Sequence, residues 1–177
     1  MFLDLLRSRR SIRHYEDRPV EVEKIDLLVE AALRSPSSRG LNPWFFVVVT
    51  DRETIVALAQ AKPHGASFLA GAPLAIVVCA DPSVSDVWVE DASIATLNLH
   101  LAATDLGLGS CWIQLRKREH SEGGTASSYV ADKLGLPEGM EVLAIMAIGH
   151  SREAKRPHPP ESLLQAKISW QRFGQKR

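Results

Sequence analysis

The residues of this chain best suited to chemistry form two short stretches, and the first is a basic cluster. The stretch RRSIR places Arg9, Arg10 and Arg13 around Ser11, so three guanidiniums and one hydroxyl fall within five residues. A guanidinium presents planar, forked donors that match the oxygens of a phosphate. The cluster therefore indicates an anion site, although arginines that follow a short helix can also serve only to complement its dipole.

The second stretch is a polar loop, PSSRGLN at 36–42, which leads directly into the apolar run PWFFVVV. Proline, serine, glycine and asparagine form turns and expose backbone and side-chain hydrogen-bonding groups. Trp44 opens the apolar run and is predicted to lie in the core. The loop is suited to border a flat heteroaromatic ring, whereas the basic cluster is suited to bind charge.

Alternating helices and strands must position these residues. Apolar residues that recur at three- and four-residue steps predict helices, and continuous β-rich apolar runs predict strands buried on both faces. The predicted helices are 2–9, 22–33, 51–61, 88–106 and 129–134, and the predicted strands are 45–49, 73–80, 110–115 and 142–148. Thr50 and Glu53 form a capping-box pattern before the third helix. This order, without GxGxxG after the first strand, predicts an α/β sandwich that is not a Rossmann domain.

Length and composition fit one globular domain. The chain has 177 residues, of which 45% are hydrophobic and 24% charged, and its 21 basic residues equal its 21 acidic ones. No overall field favours nucleic acid or an anionic membrane, and charged residues interrupt the long helix at 88–106 too often for a membrane span. Cys79 and Cys111 show no CxxC or metal-ligand spacing, and no targeting motif follows Met1, so we expect a reduced cytoplasmic setting and no metal.

Three motifs, taken in order and spacing, make the chain resemble a known family. They are RRSIR behind the first helix, the PSS loop closed by a polar residue before Pro43 and Trp44, and LGLGSCW at 106–112. Together they resemble the flavin-dependent nitroreductases over nearly the whole chain, from Leu3 to Gly174. The resemblance implies one α+β domain over 1–177, with a mostly antiparallel central sheet flanked by helices. It also implies an intertwined homodimer with FMN at the subunit interface.

The resemblance further implies which residues bind the cofactor. The matching positions are Arg9, Arg10, Ser11, Arg13, Pro36, Ser37, Ser38, Gly40, Asn42, Gln114, Leu115, Lys155 and Arg156. In the family the RRSIR positions contact the phosphate and pyrimidine side. The serine loop lines the ring from the partner subunit, and a backbone amide in the segment of Gln114 and Leu115 faces flavin N5.

Some of these positions leave two interpretations open. Gly40 and Asn42 stand where the family often has Asn and Gln, so a side chain that usually bonds within the site is shorter or missing. Arg39 is either a solvated charge or a contact to the neighbouring chain's phosphate or substrate. Lys155 and Arg156 either complete the phosphate site or belong to a solvated basic loop, and His158 is a weaker candidate for the same site.

The function implied is an FMN-dependent oxidoreductase in which the flavin carries the redox chemistry, so no catalytic side chain is expected. By a ping-pong mechanism, NAD(P)H would deliver hydride to the flavin, and a small acceptor such as a nitroaromatic or quinone would then take it up. One alternative is a flavin-binding storage or sensing module without turnover. Another is a family variant that acts in dehalogenation or in flavin or ligand modification.

Two further segments receive a predicted role. The tail at 159–177 carries five large apolar residues among polar ones, so we expect it to form an arm that packs on the partner subunit. A cover over the flavin is expected from 64–68 or from 117–125, where Gly123 and Gly124 provide mobility. Cys111 lies in an apolar strand and is interpreted as a packing residue.

Overall fold

The computed structural model describes residues 1–177, and its elements follow the predicted order. The helices are α1 (Phe2–Ser8), α2 (Val22–Leu33), α3 (Arg52–Leu58), α4 (Trp88–Asp105) and α5 (Ala126–Leu134). The strands are β1 (Trp44–Val49), β2 (Leu74–Ala80), β3 (Gly109–Gln114) and β4 (Glu141–Gly149). Short 3-10 turns lie at Ser38–Gly40, Ser67–Gly71, Pro160–Ser162 and Gln165–Lys167. None of the helices combines the length and apolar character needed to cross a bilayer.

The four strands form one sheet in the order β1-β2-β4-β3, and every neighbouring pair is antiparallel. This confirms the predicted antiparallel character of the sheet. All of β2 is buried, as is β4 after its first residue, because these two strands are central. β3 is an edge strand, with Ser110 opposite Ile148 and Gln114 opposite Ala144.

The sheet has an apolar core on each face, because successive side chains of a strand point to opposite sides. Val77 of β2 belongs to one cluster, which also contains residues of α3 and α5. Ile76 and Val78 belong to the other, which contains Leu28 of α2 and Leu99 of α4. Helices therefore cover both faces, and the expected α+β sandwich is confirmed.

Two helix starts differ from the predictions. The prediction of a capping box at Thr50 was wrong. The carboxylate of Asp51 caps α3 instead and accepts from the Thr54 amide at 2.8 Å. A capping box is found at α5, where Thr125 exchanges hydrogen bonds with Ser128. This cap starts α5 at Ala126, three residues before the predicted start, because an N-cap side chain satisfies amides that the helix cannot pair internally.

The chain that leaves α1 is held against the edge of β3. Ser11 forms an isolated parallel bridge with Ser110, and the Ile12 amide donates to the Ser110 carbonyl at 2.9 Å. The close approach requires Gly109, because a Cβ atom built there would lie 2.7 Å from Cγ2 of Ile12. This contact positions the RRSIR cluster at the start of β3.

Candidate functional site

The structure brings the RRSIR cluster and the basic segment at Lys155 and Arg156 together at the start of β3. The Lys155 ammonium donates to the Ser11 carbonyl at 2.7 Å, and the Arg10 guanidinium donates to the Arg156 carbonyl. These contacts join residues more than 140 positions apart. Lys155 therefore lies in one basic cluster with the RRSIR residues, the basic site.

The basic site carries more positive than negative charge. Glu153 is the acidic residue in it: its carboxylate accepts from the Arg13 amide at 2.6 Å and lies 3.2 Å from the Lys155 ammonium. The hydrogen bond from the Arg13 amide, with the bond and charge from Lys155, holds the pKa of Glu153 below its usual value. Arg9, Arg10 and Arg13 form no ion pair, so their charges remain available to an anion.

Gln114 lies on the same edge of β3 as the basic site. In an antiparallel ladder, alternate residues direct their backbone groups to the neighbouring strand. The Leu115 amide donates to the Leu143 carbonyl, so the amide of Gln114 is directed to the outer edge. Ser110 directs its carbonyl to that edge too, where it meets Ile12. Four residues of strand place the two positions about 13 Å apart.

The two positions predicted to face the flavin ring, Gln114 and Leu115, therefore differ in the direction of their backbone amides. Leu115 is fully buried and its amide is already bonded, so it has no free donor. The Gln114 side chain is held as well, since its oxygen accepts from the Trp112 indole at 2.9 Å and its nitrogen donates to the Arg116 carbonyl at 3.1 Å. What Gln114 can offer a ligand at this edge is its backbone N–H group.

The polar loop at 36–42 is tied down by its own side chains and by α4. The Asn42 amide donates to the Ser37 hydroxyl at 2.9 Å, and that hydroxyl donates to Oδ1 of Asn42 at 2.7 Å. The Ser38 amide donates to the buried carboxylate of Asp91 at 2.8 Å. Arg39 pairs with Asp86 of its own chain at 2.9 Å, and both side chains are mostly exposed.

A single chain does not bring the polar loop to the basic site. The loop is attached to α4 at Asp91, whereas the basic site contacts α4 at His100, whose Nε2 lies 2.8 Å from Nη1 of Arg9. Nine residues of α-helix separate these positions by about 14 Å along the axis and by roughly half a turn around it. The loop and the arginines thus lie on opposite sides of α4.

Two of the clefts next to this region are similar in size. One, of about 440 Å³, is lined by Arg13, His14, Tyr15, Phe68, Gly71 and Arg152. The other, of about 450 Å³, is lined by Lys62, Pro63, His64, Lys117, Arg118 and Glu119. The two segments predicted as alternative covers, 64–68 and 117–125, therefore border the same cleft. Burial and the nearby Arg118 charge lower the pKa of Lys62 within it.

Two buried polar residues of α4, Asp91 and His100, have no role predicted from the sequence. Asp91 holds the loop, and His100 contacts both Arg9 and Ser110. The signal that points to them is a carboxylate and an imidazole on a helix that is otherwise apolar over much of its circumference. Buried polar side chains need partners, so such positions indicate long-range hydrogen bonds.

Cys111 fits the interpretation as a packing residue. It is buried and free of any disulfide, like Cys79. Burial raises the pKa of the Cys111 thiol, although the charges of Arg13 and Lys155 and a hydrogen bond with Ser11 oppose this rise. A thiol held in its protonated form is a poor nucleophile.

Comparisons with known proteins agree with the fold and with the motifs. The model of the nitroreductase family matches residues 6–64 and 56–150. An FMN-dependent nitroreductase from Clostridium difficile R20291 has a solved structure that superposes with a TM-score of 0.95, at 44% identity over 97% of this chain and 99% of that one.

Relatives of known sequence also include nitroreductases and flavin reductases. A protein of Archaeoglobus fulgidus, whose name describes a candidate NADH dehydrogenase/NAD(P)H nitroreductase, is 39% identical over 86% of this chain and 87% of its own. The FMN reductase [NAD(P)H] of Bacillus subtilis is 28% identical over 90% of this chain and 70% of its own. The family match covers well over half of the chain. This chain belongs to the nitroreductase family.

Proposed function

We propose that this protein is an FMN-dependent oxidoreductase that transfers hydride from NAD(P)H to a small electron acceptor, such as a nitroaromatic or a quinone. Family membership and the relatives named as an FMN-dependent nitroreductase and an FMN reductase support the cofactor and the donor. A reducing, cytoplasmic setting is part of the proposal, since both cysteines are free.

The observation that carries the proposal is the outer edge of β3. One end of this edge holds the basic site around Ser11, and the other end holds the outward amide of Gln114, about 13 Å away. A mononucleotide has an anionic phosphate at one end and a flat ring with hydrogen-bond acceptors at the other. The donors of this edge therefore fit FMN in charge and in order.

The residues of this chain would bind and orient the cofactor. The guanidiniums of Arg9, Arg10 and Arg13 would hold the phosphate, with Lys155 and the Ser11 hydroxyl beside them. The backbone N–H of Gln114 would donate to the ring. When bound, FMN would supply the redox chemistry by taking two electrons and a proton as hydride from NAD(P)H and passing them to the acceptor.

A homodimer is part of the same proposal, because the loop and the basic site lie on opposite sides of α4 in one chain. Both can border one flavin only if the loop at 36–42 comes from a partner subunit. Exposed apolar side chains support such an assembly: Phe2, Leu3 and Leu6 in α1, Ile94 and Leu97 in α4, and Leu163, Leu164, Ile168, Trp170 and Phe173 in the tail. Exposed apolar area of this extent is typical of an interface.

The proposal is tested by the absorption spectrum of the purified protein, followed by anaerobic titration with NADH and NADPH. We expect the bands of oxidised flavin, which bleach when one of the two nicotinamides is added and return when a quinone is supplied. A protein that binds no FMN, even after incubation with an excess of it, would contradict the proposal. Bound flavin that neither nicotinamide bleaches would instead support the storage or sensing module.

A further inference from the structure

His100 lies at the centre of a polar contact that links α4, β3 and the RRSIR cluster. The side chain is buried, with 6% of its surface exposed. Its Nδ1 lies 2.5 Å from the Ser110 hydroxyl, and its Nε2 lies 2.8 Å from Nη1 of Arg9. His100 therefore joins the anchoring position on β3 to one of the three arginines of the basic site.

The chemistry of the partners determines the state of the imidazole. A guanidinium can only donate hydrogen bonds, so Nε2 of His100 must accept from Arg9 and cannot carry a proton. The proton of the neutral ring then lies on Nδ1, which donates to the Ser110 hydroxyl. Burial, together with the charge of Arg9, lowers the pKa of His100 to about 4. At neutral pH the ring is uncharged.

An uncharged acceptor has a specific consequence for Arg9. A carboxylate in the same place would orient the guanidinium but would also neutralise its charge. Arg9 forms no ion pair, so the imidazole orients the side chain and leaves the full positive charge to act on an anion. One of the five N–H donors of Arg9 is used for this contact, and the others remain free for a phosphate.

We propose that His100 is a positioning residue for flavin phosphate binding: as a neutral acceptor, it holds the Arg9 guanidinium in place without reducing its charge. This inference rests on the proposed function, because it assigns the phosphate of FMN to the site at Arg9. The residue acts through Arg9 and does not touch the cofactor. Its effect must therefore be specific for ligands that carry the phosphate.

The test compares FMN with riboflavin, which lacks the phosphate, in fluorescence titrations of flavin-free protein. The variant His100→Asn keeps a group near Ser110 but has no atom that reaches Arg9. We expect it to weaken FMN binding roughly tenfold and to leave riboflavin binding unchanged. The variant His100→Gln keeps an acceptor near the position of Nε2, and it is expected to stay within about threefold of the wild type for both flavins.

An Arg9→Ala background provides the control. If His100 acts through Arg9, then His100→Asn causes no further loss of FMN affinity once Arg9 is absent. Equal losses for FMN and riboflavin, or no loss for either, would overturn the positioning role. A wild-type protein that binds neither flavin would instead contradict the proposed function, so the two failures are distinguishable.

A measurement on the unmodified protein covers the case in which His100→Asn does not fold. Long-range ¹H–¹⁵N correlation spectra of histidine-labelled protein report which ring nitrogen carries the proton. We expect His100 as the neutral Nδ1–H tautomer, assigned by its disappearance in His100→Gln. An Nε2–H tautomer at neutral pH would overturn the proposal, because that ring could not accept from Arg9.

Discussion

The backbone amide of Ser38 donates to Oδ1 of Asp91 at 2.8 Å, which attaches the polar loop to the first turn of α4. The other carboxylate oxygen accepts from the Ser85 hydroxyl at 3.0 Å. Asp91 is only 2% exposed, so both hydrogen bonds lie away from water. A buried carboxylate thus orders the loop that we propose contributes to a partner subunit's flavin site.

The first prediction concerns this carboxylate. Asp91→Ala leaves the Ser38 amide and the Ser85 hydroxyl without partners, so we expect a loss of about 3 kcal/mol in the free energy of unfolding. Thermal unfolding at fixed protein concentration should show Tm lowered by roughly 6–12 °C. Asp86→Ala is the matched control, since it removes the exposed partner of Arg39, and its effect should stay below about 1 kcal/mol. Equal effects of the two variants would contradict the role of burial.

The second prediction concerns the close approach of Ile12 to β3. Gly109→Ala places a Cβ atom 2.7 Å from Cγ2 of Ile12, which must push the RRSIR segment away from Ser110. We expect a loss of roughly 1–3 kcal/mol in stability from overpacking, and weaker FMN binding because the arginines move. Gly71→Ala serves as the control, since a Cβ atom there meets nothing within 4 Å. Unchanged FMN binding by a folded Gly109→Ala protein would show that this contact does not position the site.

The third prediction concerns acidification. The folded-state pKa of His100, about 4, lies below its ordinary value of 6.5, so the unfolded chain binds the proton more readily between these values. The stabilisation is complete above pH 6.5 and decreases as the pH falls towards 4. From pH 7.5 to 5 this one residue should account for about 2 kcal/mol. Urea unfolding of the wild type and of His100→Gln should show that difference; parallel pH profiles would contradict it.

The fourth prediction distinguishes the two interpretations of the basic loop. Lys155→Met removes an ammonium that contacts the Ser11 carbonyl, so we expect roughly tenfold weaker FMN binding with little change for riboflavin. Lys133→Met is the control, because Lys133 is exposed and lies over the Tyr129 ring at 5.5 Å, outside the basic site. An unchanged affinity for FMN in the Lys155 variant would favour a loop without a role in binding.

The fifth prediction concerns the tail. Its hydrogen bonds run within the tail itself, as from Gly174 to Ser169, while its apolar side chains are exposed. Deletion of 161–177 should convert the proposed dimer into a monomer with reduced flavin content, as measured by light scattering and absorbance. Trp170→Ala with Phe173→Ala should weaken the dimer, whereas the polar control pair Glu161→Ala and Gln165→Ala should not. A truncated protein that remains a dimer with full flavin content would contradict the prediction that the tail packs on the partner subunit.

The sequence by itself determined the order of helices and strands and the position of the RRSIR cluster at the end of α1. These features depend on periodicity and turn chemistry between near neighbours, which a single chain displays directly. The prediction that the strand at 45–49 is buried on both faces was wrong, because β1 lies at the edge of the sheet and exposes Phe45 and Val48. The predicted cap of α3 lies one residue too early, because Thr50 and Asp51 both have side chains that can cap a helix and only the backbone conformation selects between them.

Only the tertiary structure decided which of these residues meet. It joined Lys155 to Ser11, directed the amide of Gln114 outwards and that of Leu115 inwards, and gave Asp91 and His100 their partners on opposite sides of α4. The physical reason is that strand register and the burial of polar side chains depend on contacts between distant parts of the chain. Local patterns carry little information about such contacts, because the same residue types fit a solvated surface as well as a binding site.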